Sequence, residues 1–107
     1  MIQGTDGIIF VADSIPSQQN DNVESLNELK QMLGDTFNNS IPIVVMLNKR
    51  DEAGALDRKI LVDSMGLRDV PIFETIATKG VGVRRAFQAI ARDVLLKRLY
   101  KGSLPTS

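Results

Sequence analysis

The chain has 107 residues, 43% hydrophobic and 24% charged, the size and composition of one ordinary folded domain. Thirteen Lys and Arg balance thirteen Asp and Glu, so nothing in the overall charge draws the chain to nucleic acid or to an acidic membrane. The absence of Cys and His excludes disulfides, thiolate nucleophiles, Cys- or His-ligated metals and Ser-His-Asp catalysis, and leaves no residue for a prenyl or palmitoyl anchor.

The apolar stretches GIIFVA and IPIVVML are too short to span a bilayer, and MIQGTDG has neither the basic flank nor the long apolar run of a signal peptide. A cytoplasmic protein without a membrane anchor is the expectation.

Residues 7–12, GIIFVA, form a continuous apolar run that ends at Asp13-Ser14. A run without polar alternation predicts a strand covered on both faces, as in a parallel sheet. SIPSQQNDN reads as a polar loop. DNVE, with Asp21 as cap and Glu24 following it, predicts the start of a helix. Val23, Leu26, Leu29, Met32 and Leu33 recur at helical spacing as its inward face, and Gly34 ends it.

The second strand is predicted over residues 43–47, IVVML, with Pro42 at its mouth, where a missing N–H is tolerated. After NKRDEAG a shorter helix is predicted over residues 56–65, with Leu56, Ile60, Leu61 and Met65 inward. PIFETI, shorter and less apolar, reads as a third strand at a sheet edge, and ATKGVGV as a Gly-containing loop. The last helix is predicted over residues 82–100. Val83, Phe87, Ile90, Val94 and Leu95 lie on one side, with Ala86 and Ala91 beside them. Its end, LLKRLYKG, puts cations where the helix dipole favours them; Gly102 stops it, and SLPTS frays.

Strands alternating with helices predict an α/β fold with parallel strands and right-handed crossovers. In open sheets of this kind ligands sit beyond the C-terminal strand ends. The polar groups there are Asp13-Ser14, NKRD (residues 48–51) and TIATKG (residues 75–80). A carboxylate such as Asp51 accepts two parallel hydrogen bonds from one planar partner. Guanine offers such a pair in its N1–H and exocyclic amino group, and adenine does not. A site built on those bonds rejects the analogue that lacks them. Asn48 carries both a donor and an acceptor, able to tie loops together or touch a base edge. Lys49 has an aliphatic stem that can lie along a flat ring with its ammonium in water. Ala77 is small, so its backbone N–H suits a carbonyl oxygen such as guanine O6, and Lys79 and Gly80 let the chain turn into the last helix.

NKRD resembles the N-K-x-D guanine-specificity motif of Ras-superfamily GTPases. ETIATKGVGV resembles the segment carrying their S-A-K loop, with Ala77 at the alanine position and Thr78 at the lysine position. DGIIFVADS, NVESLNELKQML, IPIVVMLNKRD and VPIFETIATKGVGV are most similar to the mutual-gliding-motility branch, prokaryotic relatives of Ras and Arf proteins. The resemblance covers nearly the whole chain. It implies a partial, three-layer, P-loop-NTPase-like α/β domain with a three-stranded parallel sheet and three helices. Residues 1–102 would be the C-terminal half of the GTPase domain and 103–107 a flexible tail. It implies guanine-binding roles for Asn48, Lys49, Asp51, Ala77 and Thr78, with GTP or GDP as ligand and Mg²⁺ only in an intact domain. Ile76 stands where the family usually has Ser or Thr, which leaves Thr75 or Thr78 to offer Asp51 a hydroxyl.

The chain contains no G-x-x-x-x-G-K-[ST] and no D-x-x-G, so the phosphate cradle and metal-holding segments of phosphoryl transfer are expected upstream. The expectation is a chain that binds nucleotide weakly or not at all, does not hydrolyse GTP alone, and exposes the edge of its first strand. That edge would pair with the missing half or with another copy. By resemblance, a Roadblock-type activator is a partner of the intact domain. Asp51-Glu52 reads as solvated loop charge rather than a metal site. GVGV lacks the third glycine of a dinucleotide fingerprint. Arg84, Arg85, Arg92, Lys97, Arg98 and Lys101, with Asp93 among them, read as a solvated helix exterior. The competing functions are a non-catalytic GTPase-like scaffold and a receiver-like domain using Asp13 and Lys79.

Overall fold

The three aliphatic runs become three parallel strands in the computed structural model, which describes residues 6–103. β1 (Ile8–Asp13), β2 (Ile43–Asn48) and β3 (Ile72–Glu74) lie side by side in that order. The helices α1 (Gln19–Leu33), α2 (Arg58–Met65) and α3 (Val83–Ser103) alternate with them. The register runs from Ile8 opposite Ile43 to Asp13 opposite Asn48, and from Val45 opposite Ile72 to Leu47 opposite Glu74. This is the expected α/β arrangement, and β3 is at an edge as expected.

β2 explains its own sequence. Ile43, Val45 and Leu47 face one core with Leu26 and Leu33 of α1 and Leu61 and Met65 of α2. Val44 and Met46 face a second core with Ala86 and Ala89 of α3. Both sides of the strand are covered, so neither alternates with polar residues. Each such side chain contributes about 1.5–3 kcal/mol when fully buried.

β1 meets the expectation of two covered faces in part: Ile8 and Phe10 pack against the first core and Ile9 against the second, but the cover is incomplete. Only Ala12 within it is buried, and Val11 is 53% exposed. The reason is its place at the other edge of the described sheet, with a strand on one side alone. The Ile8 N–H donates to Pro42 O and the Ser14 N–H to Asn48 O, so even-numbered residues spend their backbone groups on β2. Odd-numbered residues point theirs outward. Asn22 of α1 captures the outward pair of Asp13, accepting its N–H at 3.1 Å and donating to its carbonyl at 2.7 Å. Ile9 and Val11 keep the open stretch of edge.

The helices differ from their predicted limits for local reasons. α1 begins at Gln19, not at an Asp21 cap, because Pro16 opens a 3₁₀ turn over Pro16–Gln18 that runs into it; Asp21 lies in the first turn. Gly34 ends α1 at φ +55, as read. Met32 is 66% exposed and Ile60 is 48% exposed, each one step round its helix from the buried stripe. α2 starts at Arg58 because Leu56 gives its N–H to Ser14 O and its carbonyl to Arg50. In α3 the buried face is Ala86 and Ala89, flanked by Val83 and Ile90, while Phe87 and Leu95 are both 56% exposed. The small alanines let the helix approach β2 closely, and the apolar stripe is wider than the sheet beneath it. α3 continues through Gly102 to Ser103, since one helical glycine costs only about 1 kcal/mol. From Leu104 onward the expected tail lies outside the described residues. Among the described residues no helix is long and apolar enough to cross a membrane.

Candidate functional site

The end of β2 and the turn after β3 meet through Asn48. Its Oδ1 accepts the Ala77 N–H at 2.9 Å and the Thr75 hydroxyl at 3.1 Å. Thr75 is fully buried, and its own N–H donates to Leu47 O at 2.8 Å, extending the ladder one residue past β3. The Ile76 N–H and the Val81 N–H each donate to the other residue's carbonyl, folding the loop back on itself over the 3₁₀ turn Ala77–Lys79. β3 is therefore shorter than PIFETI because the chain turns away to build this loop.

Lys49 sits at φ +62, a left-handed backbone that a non-glycine residue adopts only where its surroundings hold it. The turn sends its ammonium back to Asp13, with Nζ 2.8 Å from Oδ2. The other Asp13 oxygen accepts the Ile15 N–H at 3.0 Å. Burial pushes the Asp13 carboxyl up, but the hydrogen bonds from Lys49 and Ile15 and the Lys49 charge outweigh it and hold the group below its ordinary value. The hydrogen bond to Asp13, with its charge, raises Lys49. The ammonium is thus fixed at one side while the stem remains half exposed.

Asp51 is exposed, with Lys79 Nζ 3.7 Å from its Oδ2. Thr75 does not brace it, as its hydroxyl goes to Asn48. The Thr78 N–H makes no hydrogen bond among the described residues. Asn48, Lys49, Asp51, Ala77 and Thr78 all line one small pocket of about 110 Å³, completed by Glu52 and Ile76. All the sequence-predicted site residues are thus brought together. The arrangement offers a carboxylate acceptor, an aliphatic stem and a free backbone donor around one space, which is the chemistry of an edge-on planar heterocycle. Among the described residues no group of three His, Cys, Asp or Glu stands together to hold a metal ion.

Some participants were not legible as such. Asp13 as the partner of Lys49 followed from the register that puts it opposite Asn48, a relation no single segment reveals. Thr75 as the partner of Asn48, and Arg50 with Glu74 at 3.0 Å, needed the strands side by side. The receiver-like reading lacks its geometry: Lys79 pairs with Asp51 and not with Asp13, and among the described residues no group of three acidic side chains stands together.

Comparison with known proteins adds the following. The family model of the ADP-ribosylation factor family matches residues 1–94. The chain is similar to the mutual gliding-motility protein MglA of Myxococcus xanthus, 36% identical over 104 residues, covering 95% of this chain and 53% of that protein. It is similar to ADP-ribosylation factor-like protein 8b of Arabidopsis thaliana, 39% identical over 64 residues, covering 59% of this chain and 33% of that protein. It is also similar to ADP-ribosylation factor-like protein 1 of Caenorhabditis elegans, 34% identical over 100 residues, covering 88% of this chain and 54% of that protein. The chain spans about half the length of the first of these relatives.

Proposed function

We propose, from the premise that this chain belongs to the ADP-ribosylation factor family of small GTPases, that it is the guanine-reading part of a nucleotide-dependent switch. The observation that carries the reading is the convergence of Asn48, Lys49, Asp51, Ala77 and Thr78 on one pocket at the C-terminal end of the sheet. Asp51 accepts the N1–H and exocyclic amino group of guanine. The Thr78 N–H, with the Ala77 N–H when Asn48 releases it, donates to O6. The Lys49 stem covers a ring face, its ammonium parked on Asp13. Asn48 keeps the two loops at the spacing of a base edge through the buried Thr75 hydroxyl.

The fit extends to the base and stops there. These 107 residues carry no phosphate-cradling motif and no assignable group to orient an attacking water. GTP and GDP are accordingly weak ligands of the chain alone, Mg²⁺ belongs to an intact domain, and hydrolysis is absent. The likeness to a mutual gliding-motility protein supports a role in cell motility; a Roadblock-type activator, as partner of the intact domain, is a further part of this proposal.

The reading is tested by NMR titration of the isotope-labelled chain with GDP, IDP and ADP. GDP is expected to shift the amides of Asp51, Ala77 and Thr78; IDP, lacking the exocyclic amino group, shifts them less, and ADP leaves them in place. Equal responses to GDP and ADP, or none to either, would sink it. A single-turnover GTP assay showing product above a heat-killed control would overturn the predicted inactivity.

A further inference from the structure

Arg50 is the one residue of NKRD with no base-reading role above, yet its side chain is only 19% exposed, against 50% for Lys49 and 35% for Asp51. Its Nε donates to Glu74 Oε1 at 3.0 Å, its Nη1 donates to the Leu56 carbonyl, and its backbone N–H donates to Thr75 O at 3.3 Å. These partners belong to the end of β3, the approach to α2, and the turn that leads to Ala77. A planar guanidinium serves two acceptors at a fixed angle, which a lysine ammonium on a flexible stem does not. Arg50 also lies between Lys49 and Asp51 in the chain, so a rotation of its backbone swings both. Among the described residues the Asp51 side chain has only a 3.7 Å pair to an exposed lysine to hold it.

We propose that Arg50 is a positioning residue that sets the spacing between Asp51 and the Ala77–Thr78 backbone, and through that spacing the preference for guanine. The selectivity half of this inference rests on the guanine reading given above. Arg50 touches no ligand in this scheme. It holds the carboxylate at one distance from the backbone donors, so that the N1–H and amino pair and the adjacent O6 of one base are met together. Glu74 is its counterpart on β3, and it also faces Arg58 Nη1 at 3.9 Å.

The test compares the parent chain with Arg50→Gln, Arg50→Lys and Glu74→Gln by amide hydrogen exchange and by titration with GDP and ADP. In Arg50→Gln the Ala77 amide, held on Asn48, should exchange about tenfold faster, the scale of one lost charge-assisted hydrogen bond, while the Val45 amide in the core keeps its rate. The GDP-over-ADP preference should fall by a similar about tenfold factor. Arg50→Lys keeps a charge opposite Glu74 without the fork, and should recover thermal stability but not the preference. Glu74→Gln should shift both readouts partway. An Ala77 rate that rises only in step with Val45 makes Arg50 merely structural and overturns the proposal, as does an unchanged preference in Arg50→Gln. If the parent chain does not prefer GDP, the guanine reading and the selectivity role fall together, and Ala77 exchange alone decides whether Arg50 sets the loop spacing.

Discussion

Ala77 donates its backbone N–H to Asn48 Oδ1 at 2.9 Å, joining residues 29 positions apart in the chain. With the Thr75 hydroxyl on the same oxygen, this makes Asn48 the tie between the two loops that line the candidate pocket. The motif residue nearest the sheet is thus occupied with the protein itself. Asp51 and the Thr78 N–H are left facing outward.

Asn48→Ala removes that shared acceptor. The buried Thr75 hydroxyl then has only the Leu47 carbonyl, at 3.5 Å. The expected cost is about 1–3 kcal/mol, the range for stranding a buried polar group. Urea unfolding reads it directly. Asn48→Asp, which keeps the acceptor, should lose less than Asn48→Ala.

Asp51→Ala separates binding from stability. Asp51 and Lys79 form an exposed pair, so the change in unfolding free energy should be below about 1 kcal/mol. The GDP-dependent amide shifts at Ala77 and Thr78 should vanish. Retained GDP shifts in this variant would remove Asp51 from the base site.

The Asp13–Lys49 pair gives stability a defined pH window. Asp13 is held below its ordinary 3.8, so its contribution is fully present above that value and is lost as pH falls through the lower folded value. Lys49 is raised above its ordinary 10.5, so its contribution is fully present below that value and is lost as pH rises through the higher folded value. Asp13→Asn should therefore flatten both the acid and the alkaline limb of the stability curve. Unfolding midpoints measured across the pH range would show it; a variant curve parallel to the parent at both ends would count against the pair.

Gly82 is required where Gly54 is not. Gly82 lies at φ +75, and a Cβ there would meet the Glu74 carbonyl oxygen at 2.4 Å, backbone that cannot yield. Gly54 has nothing within 4 Å and no left-handed φ. Gly82→Ala should lower stability by about 1–3 kcal/mol through strain and clash, whereas Gly54→Ala should be neutral or slightly stabilising. Thermal melts of the two variants side by side decide it.

The open stretch of β1 at Ile9 and Val11 is an exposed apolar strand edge, and the chain alone is expected to associate through it. Val11→Lys puts a charge on that edge and should shift the chain toward monomer in light scattering. A parent chain that is monodisperse and monomeric at high concentration would contradict the expectation.

Much of this molecule could be read before any coordinates. IVVML pointed to a strand covered on both faces because every one of its residues is apolar, and NKRD pointed to a candidate site at its end because polar groups of such particular kinds follow it at once. What misled was apolar residues whose burial depends on what lies opposite. Phe87, Leu95, Met32 and Ile60 have the right spacing within a stripe or the right character beside one, but spacing cannot say how wide the covered face is. GIIFVA reads like IVVML, and only its place at the edge makes Val11 an exposed residue.

By itself the sequence determined the order of elements, the parallel α/β class, and which side chains stand at the strand ends, because periodicity and local chemistry are properties of neighbours in the chain. The tertiary structure alone decided that Lys49 answers to Asp13, that Asn48 holds Ala77 and Thr75, and that Arg50 spans Glu74 and Leu56. Apart from Arg50–Leu56, six residues apart in one loop, those relations join residues that only the parallel register brings within hydrogen-bond reach, and no local pattern encodes a distance between strands.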